Sequence, residues 1–182
     1  MVFEVVLDHV YKFPLDLVIN THLTKYPNKK LDVLEVRLEE YRHDPKDDVE
    51  YWKRVMVCRN IMPSILKMIP VFNKAAILLE EECWYDHKQE TLKIKSRNVT
   101  WYEYAQAWEE SQLQRSKDSR HWTVMSQRGG MDVKVFGALG HVAELFLHGA
   151  AKRNGMRAIK NMEDLMIARS GAKDTGNLPA TS

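Results

Sequence analysis

The stretch "VLEVRLEEYRHDPKDDVEYWKRVMVCR", Val33 to Arg59, consists of two runs of period two around a turn. In the first run Leu34, Val36 and Leu38 share one face while Glu35, Arg37 and Glu39 share the other, the alternation of a half-buried strand. The segment "HDPKDD" supplies turn chemistry, because proline presets one φ angle and aspartate side chains bond to nearby backbone. The return run places Trp52, Arg54, Met56 and Cys58 on one face. A β-hairpin is predicted, and with it an antiparallel sheet. Arg54 is the odd member, since an arginine on an apolar face needs a partner or a wet cavity.

Upstream, Val2 to Tyr11 is rich in β-branched residues and reads as a first strand. Pro14 and Asp16 suit the first turn of a helix, with Leu15, Val18, Ile19 and Leu23 at helical spacing. Pro27 ends that helix, because the residue before a proline is pushed out of the α region. The turn "LTKYPNKK" then gathers Lys25, Lys29 and Lys30. Such a knot is either a solvated turn or a seat for a phosphate, which lysine meets as a point charge and arginine as a planar fork.

Downstream, "NIMPSILKMIPVFN", Asn60 to Asn73, is strongly apolar yet has two prolines and no strand alternation. It is either a loop packed on the core or a lid able to enter a membrane surface, where apolar anchors and a basic Lys67 would serve. Strands resume with "KAAILLEEECWY", "ETLKIKSRNV", "TWYEYAQAWEESQLQR" and "WTVMSQRGGMDVKV", separated by polar turns. In the third of these Trp101, Glu103, Ala105 and Ala107 are expected on one side, and the paired glycines of the fourth as a bulge. From Phe136 to about Arg169 the period becomes 3.6, with Leu139, Val142, Phe146, Met156, Ile159, Met162 and Met166 forming an apolar stripe. That long helix has a weak middle at "HGAAKRNG", and the tail 170–182 is expected to be disordered. The fold class is therefore α+β: a curved seven-stranded antiparallel sheet, a short N-terminal helix, a lid loop and a long C-terminal helix enclosing a cavity.

Composition narrows the function classes. The chain has 182 residues, 45% hydrophobic and 29% charged, with a formal net charge of +2. Near-neutrality argues against a phosphate-tracking surface, and no nucleic-acid signature is present, so no nucleic acid is expected as a partner. Two cysteines, Cys58 and Cys83, make neither a disulfide framework nor a zinc site, and both are expected as buried thiols. No run approaches the roughly 20 apolar residues of a membrane span, and the N-terminus resembles neither a secretory signal nor an Arg-rich transit peptide. The seven histidines form no HxH or HExxH pair, and there is no GxSxG elbow or P-loop. Adjacent carboxylates in "LEEECW" and at Glu109–Glu110 point to opposite faces of a strand and do not converge. Neither an enzyme, nor a metal, nor a cofactor is expected.

The order of these pieces resembles the PRELI/MSF1 family. "HVYKFPLDLV" followed by "TKYPNKK" is similar to that family's opening, with Lys25, Tyr26, Pro27 and Asn28 on its basic-Tyr-Pro-Asn motif. "WKRVMVCRNIMP", "LLEEECWYDHKQETLKIKSRNVTW" and the long last helix fit as well. The resemblance covers about residues 1–169, and the details look most like the PRELI domain-containing protein 2 branch. It implies a phospholipid carrier moving phosphatidic acid or phosphatidylserine between mitochondrial membranes. Such a carrier works in the intermembrane space, on the membrane surface and with a small cysteine-paired helical-hairpin chaperone. By the same resemblance Lys25 and Arg54 contact the head group, with Lys152 and Arg153 of the last helix. The lid residues are Ile61, Met62, Ile65, Leu66, Met68, Ile69 and Phe72. Two further basic family positions fall on Cys58 and near Phe146, which motivates an alternative, an interaction module with the same fold and no transfer activity.

Overall fold

The structure is a computed structural model and describes residues 2–27, 29–62, 64–134 and 140–174. The chain runs β1 (Val2–Tyr11), α1 (Leu15–Thr24), β2 (Val33–Asp44), β3 (Val49–Arg59), the one-turn α2 (Ser64–Lys67), β4 (Ala76–Asp86), β5 (Thr91–Asn98), β6 (Ala105–Arg115), β7 (Thr123–Val133) and α3 (Gly140–Asp174). The seven strands form one antiparallel sheet in the order β1-β7-β6-β5-β4-β3-β2. The sheet is therefore a meander from β2 to β7, with β1 added beside β7. It curves around α3, which packs on β1 and α1.

Period two explains most of the sheet. On β4, Glu81 and Cys83 are buried on the concave face, while their neighbour Glu80 binds Lys53 at 3.0 Å and Arg97 at 2.7 Å across the convex face. On β6, Glu110 does the same with Lys95 (3.2 Å) and Arg128 (2.6 Å). These cross-strand pairs keep the outer face solvated. The predicted hairpin is present, with the turn at residues 45–48 closed by Asp48 N–H donating to the Asp44 carbonyl at 2.8 Å.

Three local expectations are corrected. The face Leu34, Val36, Leu38 does not hold, because register shifts after Val33 and after Leu38 break the alternation of β2. Val33 is buried instead, Leu34 is exposed, and Val36 remains packed inside. The strand expected from residue 100 starts only at Ala105. Trp101 adopts a positive φ of 65° in a turn whose Tyr104 and Ala105 N–H groups donate to the Trp101 carbonyl. Its indole N–H donates to the Val71 carbonyl at 2.7 Å, so a tertiary anchor overrides strand propensity. Gly129 and Gly130 form no bulge; both sit in continuous register between β1 and β6.

The core falls into two clusters. Tyr11, Leu15, Val18, Ile19, Leu113, Met125, Ile159, Met162 and Met166 join α1 and α3 to one end of the sheet. Val33, Met56 and Cys58 form a smaller cluster at the other, with Tyr26, Val36, Ile77 and Leu79 packed on it. Helix α3 runs unbroken through Gly149 and Gly155 to Asp174, beyond the expected end of the apolar stripe. Gly155 packs closely on β1: a Cβ there would lie 2.3 Å from Leu7 Cδ1, so the Leu7 side chain would have to shift. Leu139 lies outside the described residues, as do the side chains of the stripe positions Val142 and Phe146 and the tail from 175 to 182.

Candidate functional site

Between the two clusters lies a cavity of about 470 Å³, within the range of ligand pockets. Its wall is mostly apolar: Val5, Leu7, Val33, Met56, Ile77, Leu79, Met131 and Met162 among others. Small residues open it, namely Ala105 and Ala107 of β6 with Gly129 and Gly130 of β7. Its polar lining includes His22, Lys25 and Tyr26 from the end of α1, Glu81 of β4, Glu109 and Ser111 of β6, and Gln127 of β7.

The polar groups form a connected cluster. The last turn of α1 lays His22 over the inner face of β4, where its Nε2 lies 3.4 Å from Glu81 Oε1. Lys25 Nζ lies 3.1 Å from His22 Nδ1 and 4.9 Å from the centre of the Tyr26 ring. A neutral ring fits both partners, accepting from Lys25 at Nδ1 and leaving its proton on Nε2. Burial, helped by Lys25, pushes the His22 pKa down to about 4 and keeps the ring neutral. Burial alone would raise Glu81, but His22, Arg54 and Lys25 outweigh it and hold the carboxyl well below the usual range. Cys83 donates its thiol to Glu81 Oε1 at 3.3 Å, and burial with that carboxylate keeps it protonated. Glu109 is the reverse case: burial raises its pKa, and Lys25 offsets only part of that rise.

Arg54 occupies an unexpected place. It is buried at 5% exposure beside Glu81 at 4%, and the two are register partners on β3 and β4. Its Nε donates to Glu81 Oε1 at 3.2 Å, a second nitrogen reaches the same oxygen, and Nη1 donates to the Leu23 carbonyl at 2.7 Å. It thus satisfies a carbonyl orphaned at the end of α1 and neutralises Glu81. Arg54 stands behind the cavity wall and does not line it, whereas Lys25 does. His22, Glu81 and Cys83 have donor atoms within 4.8 Å of one another, but a divalent cation would have to displace Arg54 and sit beside Lys25. The cluster suits an anion better than a metal.

On α3, Lys152 and Arg153 are exposed. Among the described residues, the basic residue of that helix that lines the cavity is Arg157, which donates to Asp32 at 2.8 Å; Asp32 also meets Arg59 at 3.8 Å. The lid segment is pinned at its root. Asn60 Nδ2 donates to the Phe72 and Lys74 carbonyls at 2.9 and 2.7 Å, and Phe72 stacks edge-on to Trp101 and Tyr104. Leu66 and Phe72 are buried, Met62 and Ile69 half-buried, Ile61 exposed and Met68 81% exposed. The Ile65 side chain lies outside the described residues.

The sequence reading missed His22, Glu81 and Glu109. Arg54 and Glu81 carried a signal, each an ionisable residue among apolar neighbours of its strand face and facing each other across a predicted antiparallel pair. His22 sits three residues before Lys25, one helical turn, which was a weaker clue.

A family profile described as the PRELI-like family matches residues 16–169. The chain belongs to the PRELI-like family. A protein from Dictyostelium discoideum described as a slowmo homolog is 25% identical over 162 residues, covering 88% of this chain and 70% of that protein. Among solved structures, the Zhui aromatase/cyclase from Streptomyces sp. R1128 aligns with a TM-score of 0.62 at 9% identity, over 93% of this chain and 96% of that one. The Thermus thermophilus protein TTHA0849 aligns with a TM-score of 0.58 at 11% identity, over 92% of this chain and 99% of that one. At these identities the likeness shows the fold alone, a sheet gripping a C-terminal helix. PRELI-like membership and a helix-grip cavity together make this a lipid-binding or lipid-transfer architecture.

Proposed function

We propose that this PRELI-like protein is a phospholipid transfer protein carrying an anionic phospholipid, phosphatidic acid or phosphatidylserine, between mitochondrial membranes. It acts as a carrier and not as an enzyme, in the intermembrane space and with a small cysteine-paired helical-hairpin chaperone, and it belongs to the PRELI domain-containing protein 2 branch. The observation that carries the reading is the apolar cavity with Lys25 among its inner polar groups and Ile61, Met62 and Phe72 of the lid on its wall. Two acyl chains of roughly 15 methylenes each need about 24 kcal/mol of shelter from water, which an enclosed cavity supplies and a surface groove does not. Lid opening at the membrane then admits the lipid, with the exposed Met68 and Ile61 entering the interface.

A specific observation favours the interaction-module alternative. Where the resemblance leads one to expect a second basic residue, Cys58 is buried against Met56 and Val33, its thiol pushed up to about 11 by burial and by Asp32. Native mass spectrometry of the protein coexpressed with its hairpin partner decides between the two. One co-purified phospholipid per chain is expected, with transfer between liposomes lost in Ile61→Asp/Met68→Asp although the fold is retained. A protein that stays empty beside anionic liposomes establishes the module instead.

A further inference from the structure

Glu109 has no role in the fold comparable to that of Glu81. Each of the two acidic runs, Glu80–Glu82 and Glu109–Glu110, sends one carboxylate inward, Glu81 and Glu109, and turns Glu80 and Glu110 outward to basic partners. Inward-facing Glu81 is matched by Arg54. Inward-facing Glu109 has no ion pair among the described residues. Its contacts are neutral ones, the Ser111 hydroxyl donating at 3.4 Å and the Gln127 side chain. Its register partner on β7 is Gly129, which has no side chain to pair with it. A Cβ there would come 3.7 Å from the Glu109 Cβ and 3.1 Å from the Trp108 carbonyl oxygen. A carboxylate in a largely apolar cavity without a cation is costly unless a ligand supplies one.

Charge counting points the same way. The inner cluster holds two fixed cations, Lys25 and Arg54, against Glu81 and Glu109, with His22 neutral. Of these two inner cations Arg54 is committed to Glu81, which leaves Lys25 for an incoming phosphate; the other basic residues on the wall, Arg59, Arg97 and Arg157, are paired with Asp32 or Glu80. A phosphomonoester, at about −1.5 to −2 charges near neutral pH, would bring more charge than Lys25 can match and place it in the field of Glu109. A phosphodiester that ends in a primary ammonium brings both signs, the phosphate to Lys25 and the ammonium to Glu109, while the further carboxylate of a phosphoserine head group has the arginines of the same wall, Arg59, Arg97 and Arg157.

We infer that Glu109 accepts hydrogen bonds from a primary ammonium on the lipid head group while Lys25 holds the adjoining phosphate, so that the cavity selects ammonium-bearing phospholipids over phosphatidic acid. The inference rests on the carrier reading of the cavity. It makes Glu109 the specificity-determining residue and Lys25 the general phosphate contact.

The test uses the full chain with its hairpin partner and phosphatidylcholine vesicles doped equally with phosphatidylserine, phosphatidylethanolamine and phosphatidic acid at neutral pH. The quaternary ammonium of the background lipid has no N–H to donate. Bound lipid is read by native mass spectrometry. The wild type is expected to load the two primary-amine lipids over phosphatidic acid by about ten-fold or more, as a charge-assisted hydrogen bond permits. Glu109→Gln, which keeps the shape, is expected to erase that preference while still loading phosphatidic acid. Lys25→Gln should lower all three together and leave their ratio unchanged. A wild type that prefers phosphatidic acid, or a Glu109→Gln variant with an unaltered ratio, overturns the assignment while leaving the carrier reading intact. A wild type that loads no lipid removes the carrier reading and this inference with it.

Discussion

Replacing Arg54 by methionine separates a structural arginine from a lipid-binding one. The substitution leaves Glu81 ionised at 4% exposure, still near His22, Cys83 and Lys25 but without the guanidinium that touches it. Breaking one side of a buried pair in this way costs about 3–5 kcal/mol, because the remaining charge keeps its desolvation penalty. For a chain of this length that is a fall of roughly 10 °C or more in melting temperature. Arg54→Met/Glu81→Leu removes both charges and should recover most of the loss. A deficit of about 1–2 kcal/mol should persist, because the Leu23 carbonyl loses its Nη1 donor and the Cys83 thiol loses its acceptor. Urea unfolding of the wild type, both single variants and the double variant gives the coupling energy directly. Lipid loading of the folded Arg54→Met variant supplies the second readout and should match that of the wild type, since Arg54 stands behind the cavity wall whereas Glu81 lines it. A coupling energy near zero refutes the ion-pair argument, and a folded Arg54→Met variant that cannot load lipid returns Arg54 to the head-group site.

The remaining predictions concern acid stability and cavity volume. The unfolded chain protonates His22 near 6.5 and the folded chain only near 4, so the unfolded state binds more protons between those values and stability falls as pH falls, by about 2 kcal/mol from pH 7 to pH 5. Glu109, with its raised pKa, offsets part of that loss; His22→Gln should flatten the pH dependence of the urea midpoint, and an unchanged slope would show that another group carries it. Ala107→Leu places apolar volume in the cavity and should raise stability by about 1–2 kcal/mol while lowering lipid loading, so a variant that loads normally would mean the lipid lies elsewhere.

The hairpin from Val33 to Arg59 was legible because its turn chemistry agreed with the period two of its second strand, where Arg54, Met56 and Cys58 are all buried. The strand-helix-meander-helix order followed from the same local signals, since each strand pairs with a neighbour in sequence except β1 with β7. Legibility failed where long-range contacts decide. Leu34 and Val33 exchange places because β2, an edge strand, absorbs irregularities that a central strand cannot. Trp101 leaves the strand because Val71, thirty residues earlier, offers its carbonyl. In the site, Lys25 was found from a local motif and does line the cavity. Glu81 and Glu109 were set aside because adjacent carboxylates diverge, which is true of each pair. The site uses one member of each pair, and what matters is the residue across the next strand: Arg54 for Glu81, glycine for Glu109.

That contrast also accounts for the cavity itself. A curved sheet around a long helix collapses onto it wherever large side chains line the concave face, as Leu113, Met125 and Tyr11 do against Ile159, Met162 and Met166. Near the other end Ala105, Ala107, Gly129 and Gly130 line the wall, and Val33, Met56 and Cys58 form a separate cluster. The helix cannot tilt inward to close the gap without losing the packing at its C-terminal half or driving Gly155 into Leu7, already in contact with no room for a Cβ. Buried polar groups are then tolerated at the inner wall, because Arg54, Glu81, His22 and Lys25 satisfy one another before any ligand arrives. Of the inner carboxylates Glu109 is the one whose hydrogen-bond partners among the described residues are all neutral, so a ligand meets a surface that is apolar by default and asymmetric in charge at one place. Small residues on two adjacent strands set the volume, and one unmatched carboxylate beside a lysine sets the polarity of what fills it.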